Sequence, residues 1–417
     1  MLTLLLNVAW ATRPEAAGFV DDATEPIRCH YLDGQAALCD VVLPALDAAW
    51  AAQVDRIGFA TPLPDAGLGG SDNLDVYLTH DETGGAGGAY VICDGEETAP
   101  CVDAAADDGK QSTPTYIVID PDTPVDELPR FAQHEFNHVL QYATAFEEPF
   151  LDVWEGTAVA AESWTNPDYP LDPGPIADYQ ATPWASALLQ DGYWLDEEFG
   201  LWSYYEYGAT VWVRWMDARH GDGAGSLGPA LWAAMANDPG PNEPDLLDAW
   251  DTLGGDWRDE LPDFVRMRAT LGTDAAPDWA AGLDESAQVP WEPVAAAGDW
   301  QPRHALWPLG MAFVRVRLDG PATLTVGDGF LLVDLAAADG TPATDALTPE
   351  SGALDLAIVA VPADTFDADD TLEGATPTLT VTTEAAGCGC ASGDGSRGEI
   401  GALAAALAGI VGRRRRG

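Results

Sequence analysis

His134-Glu135-Phe136-Asn137-His138, followed 17 positions later by Glu155 in Trp154-Glu155-Gly156-Thr157-Ala158, is the stretch on which the reading of this chain turns. Residues four apart on a helix share one face, so His134 and His138 offer imidazole nitrogens to one point in space. Glu135 stands one residue past the first histidine, where its carboxylate reaches a water held at that point. Two histidines, one carboxylate and an open fourth position form the donor set of a water-activating zinc site. The bland alternative is a buried helix whose two histidines are merely hydrogen-bonded. The flanks favour the metal. The acidic run Asp120 to Glu127 suits a helix N-terminus ahead of Leu128-Pro129-Arg130. Val139, Leu140, Tyr142 and Ala143 continue the helix as an apolar, central one. Pro149 then breaks the chain before a second helix carrying Glu155. Glu162, seven positions beyond Glu155, competes as third ligand. Glu155 is preferred because the Gly-Thr-Ala after it permits close helix packing. Glu162 then either orients a histidine from behind or stands solvated.

His-Glu-Phe-Asn-His followed by Trp-Glu-Gly-Thr-Ala resembles the gluzincin metallopeptidases. Within them it resembles a group of secreted myxobacterial metalloproteases. The shared run is Asp75-Val76-Tyr77-Leu78, Tyr116-Ile117-Val118-Ile119-Asp120, the two motifs above and a later Tyr207-Gly208-Ala209. It covers roughly residues 40 to 240, and only the metal pattern is highly specific. The resemblance implies that His134, His138 and Glu155 bind zinc and that Glu135 is the general base. It also points to Tyr207 as the residue that stabilises the oxyanion; His220 is a weaker candidate for that role. The implied catalytic domain is zincin-like, a small sheet plus helices; with the all-β sandwich read from the period-two pattern after Leu306, the expected fold class is α+β. In such peptidases an edge strand beside the active-site helix pairs with extended substrate, and Thr115 to Ile119 is the β-branched run just before that helix.

The net charge of −51, with Lys110 the single lysine, argues against nucleic acid and anionic membrane surfaces as partners. It fits a solvated acidic surface or adaptation to salt. Calcium is a further candidate cofactor, at Asp72-Asn73-Leu74-Asp75 or between Asp364 and Asp370. Of six cysteines, Cys29 with Cys39 and Cys93 with Cys101 are spaced as two local disulfides of an exported protein. Met1 to Ala11 reads as a short signal peptide. At the other end, Gly387-Cys388-Gly389-Cys390, a polar spacer, the apolar run Ile400 to Gly412 and Arg413 to Arg416 resemble the myxobacterial (MYXO-CTERM) sorting signal. That resemblance implies processing by a C-terminal sorting machinery. Membrane contact is then confined to this segment before processing, and the mature protein sits at the outer surface or is secreted.

Five segments follow: a signal peptide (1–11), a catalytic domain (12–276), a linker (277–305), a β-sandwich (306–385) and a sorting signal (386–417). Residues 12 to 40 read as a disulfide-bearing leader. Val41 to Ile57 reads as a helix with Leu43, Leu46, Trp50 and Val54 on one face. Gly84 to Gly88 reads as a loop. Residues 201 to 272 read as helices, and Pro277 to Pro302 as irregular. From Leu306 the period becomes two: Val314, Val316 and Leu318 alternate with Arg315 and Arg317. The expectation is an exported zinc metallopeptidase acting on protein or peptide. A non-catalytic surface protein that retains a zinc site, and a zinc hydrolase of another bond, are the alternatives.

Overall fold

Short β-branched runs separated by turns build the sheet that carries the rest. The computed structural model describes residues 13–65, 67–80, 87–91, 112–145, 151–186, 188–189, 192–201, 203–236, 244–363 and 372–383. Strands β1 (Gly18–Asp21), β2 (Ile27–Tyr31), β3 (Leu74–Leu78), β4 (Gly87–Val91) and β5 (Thr115–Ile119) form one sheet in the order β1-β2-β3-β5-β4. β2, β3 and β5 run parallel, and β1 and β4 close the two edges antiparallel. Every residue of β3 and β5 is buried, as for parallel strands covered on both faces.

One face of the sheet, through Val76, Leu78, Ile117 and Ile119, joins the main core with α1 (Ala36–Ala49) and α2 (Leu128–Tyr142). α1 runs on without a break as a π-helical stretch, Trp50–Ile57. The other face carries Tyr77, Tyr116 and Val118 as a separate cluster, with Arg13 over the Tyr116 ring and His30 stacked on Tyr77. Asp75 belongs to this face. Its Oδ1 lies 2.8 Å from His30 Nε2, so of the acidic run 72–75 Asp75 is taken up in a strand and a buried pair, while Asp72 is exposed in the bend before it. The stretch 364–370, the Cys93 and Cys101 pair, the first eleven residues and the segment 386–417 lie outside the described residues.

Two further expectations change, the leader and the glycine loop, and the place of Thr115–Ile119, which the sequence left open, becomes visible. Residues 18–31 are not a leader but two strands of the sheet, and the Cys29–Cys39 disulfide ties β2 to α1. β5 is an inner strand, flanked by β3 and β4. The edge beside it is β4, which takes up Gly87 and Gly88 from the expected loop.

The chain then folds back through α3 (Leu151–Thr165), α4 (Pro173–Ala181), α5 (Gly192–Phe199), α6 (Tyr205–Gly208), α7 (Thr210–His220), α8 (Gly228–Met235), α9 (Leu246–Gly254) and α10 (Trp257–Thr270). Asp172, Asp245 and Asp256 cap α4, α9 and α10 by accepting from the first free backbone N–H groups.

Beyond α10 come β6 (Trp291–Val294), β7 (Gly298–Trp300), β8 (Met311–Leu318), β9 (Ala322–Thr325), β10 (Phe330–Asp334), β11 (Ala346–Leu347), β12 (Gly352–Ala360) and β13 (Leu379–Thr383). They form two four-stranded sheets, β10-β12-β8-β6 and β11-β9-β13-β7. The expected linker is therefore corrected: residues 291–300 supply one strand to each sheet. The architecture is α+β, and the two parts share a single core cluster that runs from Ile27 to Val381. Specific bonds tie them. Arg266 donates from Nε to the Asp334 carbonyl at 3.0 Å and from Nη2 to the Thr341 carbonyl at 2.7 Å. Asp263 accepts the Gly340 N–H at 2.9 Å. Met311 N–H donates to the Pro183 carbonyl at 2.7 Å, and a Cβ on Gly310 would stand 2.3 Å from the Trp184 carbonyl oxygen.

Candidate metal centre

Ala132 to Tyr142 is buried without interruption, although the stretch carries two histidines, two glutamines, a glutamate and an asparagine. Buried polar groups need partners, and most of these find theirs on α3 or behind α2. Nε2 of His134 lies 3.0 Å from Oε2 of Glu155, and Nε2 of His138 lies 3.5 Å from the same oxygen. The two Nε2 atoms are 3.2 Å apart. His134, His138 and Glu155 thus bring three donor atoms to one place, a group able to hold a metal ion. The four-residue spacing puts both histidines on one face of α2, as the sequence reading required; Pro149 lies outside the described residues.

Packing holds the third donor in place. A Cβ on Gly156 would stand 3.0 Å from Ala209 C and Thr210 N, so α3 lies against the joint between α6 and α7. That joint delivers Tyr207, whose ring stacks on His134 at 5.9 Å between centroids and 27° between planes. Gly208 is needed for the same reason: its Cβ would fall 2.3 Å from Tyr179 Cβ and 2.6 Å from the Pro175 carbonyl oxygen. Trp154 flanks His138 on the other side, with ring centroids 6.3 Å apart.

The charges are strongly coupled. Burial opposes ionisation of Glu155, yet the His138 and His134 imidazoles overcome it and hold the carboxyl well below the usual carboxylate range. Burial likewise disfavours the charged histidines, but hydrogen bonds to Glu155 and Glu162 raise His134 well above its ordinary value. Glu155 raises His138 in the same way. Glu135 behaves differently: burial pushes its carboxyl up, and the neighbouring histidines only partly offset this. Its Oε2 is buried and carries no hydrogen bond. Glu135 is therefore an acceptor without a donor, beside three convergent ligand atoms.

Glu162 stands outside the three-donor group. Its Oε1 lies 2.9 Å from His134 Nδ1, on the far side of the ring from Glu155, and Arg130 donates to its other oxygen. His138 Nδ1 meets Gln141 Oε1 at 2.6 Å. His220 is elsewhere: its Nε2 lies 2.9 Å from Glu260 Oε2, which also accepts from Trp250 Nε1. It belongs to a network closing α7 on α9 and α10, so its candidacy for the oxyanion role lapses. Gln141, Asn137 and Gln53 were missed, because buried amides have no periodic signature and Gln53 lies 80 positions before Gln133, whose carbonyl it meets. A second group able to hold a metal, His80, Asp120 and Asp122, sits at the surface beyond the ends of β3 and β5, with the His80 side chain 59% exposed.

No protein-family model and no curated protein matches this chain. Among solved structures, the g-type lysozyme inhibitor PliG of Salmonella Typhimurium, a periplasmic protein, is 9% identical over 22% of this chain and 98% of its own, with a TM-score of 0.16. PliG of Aeromonas hydrophila is 15% identical over 22% of this chain and 96% of its own, again at a TM-score of 0.16.

Proposed function

We propose that this protein is an exported zinc-dependent hydrolase of peptide bonds. The observation that carries the reading is the buried, unpartnered Oε2 of Glu135 beside the convergent nitrogens of His134 and His138 and the Glu155 carboxylate. A purely structural site has no use for such a carboxylate, because structural zinc is closed by its own ligands. The donor set, two imidazoles and one carboxylate, suits zinc. Zinc bound there would lower the pKa of a water and polarise a scissile carbonyl.

The rest falls to the chain's own side chains. Glu155, held ionised, supplies the negative charge of the ligand set. Glu135, raised by burial, takes a proton from the attacking water at its free Oε2 and returns it to the leaving amine. Tyr207, beside His134, donates its phenol proton as a hydrogen bond to the developing oxyanion. Among the described residues β4, next to β5, is the edge of the sheet, and an extended peptide would pair there. The Cys29–Cys39 disulfide suits an oxidising compartment and supports export.

The test is hydrolysis of casein and a fluorogenic peptide set by the zinc-loaded protein, beside Glu135→Gln with its zinc content assayed. The expected result is cleavage by the wild type, loss of about 10²–10⁴-fold in rate for the variant, and one bound zinc in each. Zinc in both proteins with cleavage by neither would make the centre a feature of a surface-binding protein.

A further inference from the structure

We propose that Gln141 fixes which nitrogen of His138 faces the metal position, and that a chain of buried amides reaching back to Gln53 fixes Gln141 in turn. The proposal rests on the metal-centre reading above. Gln53, Asn137 and Gln141 are all completely buried. A primary amide donates only from nitrogen and accepts only at oxygen, so each orientation follows from its neighbours. Gln53 Nε2 lies 3.0 Å from the Gln133 carbonyl and 3.0 Å from Thr165 Oγ1, and a carbonyl can only accept. Its Oε1 is left to accept from Asn137 Nδ2 at 3.0 Å. Asn137 Oδ1 then accepts from Gln141 Nε2 at 3.0 Å, and the same Nε2 donates to the Trp154 carbonyl at 3.0 Å. Gln141 therefore presents its oxygen, not its nitrogen, to His138 Nδ1 at 2.6 Å. Nδ1 must carry the proton. The lone pair of Nε2 is turned toward His134 Nε2 and Glu155 Oε2, where a metal would be held.

Reversing any one amide would set like against like at its contacts. A buried polar group left without its partner is costly, so the chain has one low-energy arrangement. It also joins three elements. Gln53 sits in the π-helical turn after α1, Asn137 and Gln141 are on α2, and the Trp154 carbonyl on α3 immediately precedes Glu155. One amide group thus positions a ligand imidazole and the backbone beside the ligand carboxylate. Gln141 and Gln53 are positioning residues.

The experiment measures zinc affinity by chelator competition for the full chain, for Gln141→Met and for Gln141→Glu. Both variants lose the two hydrogen bonds that Gln141 donates, but only Glu keeps an acceptor for His138 Nδ1. The expected result is a Kd for zinc weakened about 10–100-fold in Gln141→Met and close to wild type in Gln141→Glu. Equal affinity loss in both, or loss in neither, overturns the proposal. A wild type that takes up no zinc brings down the metal-centre reading itself, a different outcome. Should Gln141→Met fail to fold, the wild type alone decides through ¹H–¹⁵N spectra of the zinc-loaded protein. The His138 Nδ1–H is expected to be protected from solvent exchange, and a fast-exchanging one overturns the assignment.

Discussion

Glu162 backs His134: its Oε1 lies 2.9 Å from Nδ1 while Glu155 Oε2 lies 3.0 Å from Nε2, so the imidazole is gripped on both edges by carboxylates from one helix. The second oxygen of Glu162 accepts from Arg130, which tethers it to the start of α2. A carboxylate in this place fixes the ring and makes its free nitrogen a stronger donor. Glu162→Ala is expected to weaken zinc binding about 10–100-fold without altering the one-to-one stoichiometry. Isothermal titration with zinc checks this, and an unchanged Kd would mean that Glu162 serves only Arg130.

Tyr207 meets the site through its ring, stacked on His134, and the proposed mechanism assigns its hydroxyl to the oxyanion. Tyr207→Phe keeps the stack on His134 and removes only the hydroxyl. The expected outcome is a fall in kcat of about 10²–10³-fold with zinc affinity and KM near wild type. A loss confined to KM would assign Tyr207 to substrate binding instead.

Gly208 places Tyr207 by letting α6 press on α4. Any Cβ there meets a Cβ and a backbone carbonyl, neither of which can swing aside. Gly208→Ala is expected to cost about 1–3 kcal/mol in denaturant unfolding, with a loss of hydrolysis beyond that of its folded fraction. Wild-type stability would show that α6 is not held by this contact.

Asp47 supplies a pH test remote from the centre. Burial, and then the neighbouring Asp22, push its carboxyl up to about 6 from 3.8. A folded pKa above the unfolded one gives stability that is complete below about 3.8 and is lost as pH rises through about 6. At neutral pH the ionised group therefore works against folding. Asp47→Asn is expected to raise stability at pH 8 by on the order of 1 kcal/mol, allowing for solvent screening, and to change nothing at pH 3.5. Thermal melts at the two values decide, and an equal gain at both would trace the effect to something other than charge.

The convergence of His134 and His138 was legible because a helix turns four-residue spacing into proximity. Tyr207 was legible only through the resemblance its Tyr-Gly-Ala carries, since an aromatic among Tyr204, Tyr205 and Trp212 has no distinguishing period. The alternation of Val314, Val316 and Leu318 with Arg315 and Arg317 marked β8 correctly. β6 was hidden because Pro293 interrupts a four-residue strand, and β4 because Gly87 and Gly88 open it. In both cases backbone pairing with a neighbour, β8 or β5, makes the strand, and local preference does not reveal it. The amides behind His138 were beyond reach for a related reason. Their value lies in what each one meets, and those partners come from distant parts of the chain.

Arg266 has a consequence for how this protein can change. It is almost completely buried, and two of its three guanidinium nitrogens donate to carbonyls of Asp334 and Thr341, beyond the helices. A chain ended at residue 276 would remove both acceptors and uncover the apolar core that the two parts share. The strands after α10 are thus not cargo that recombination can swap for another module. They cover the helical half's own interior, so each half is packed to fold against the other.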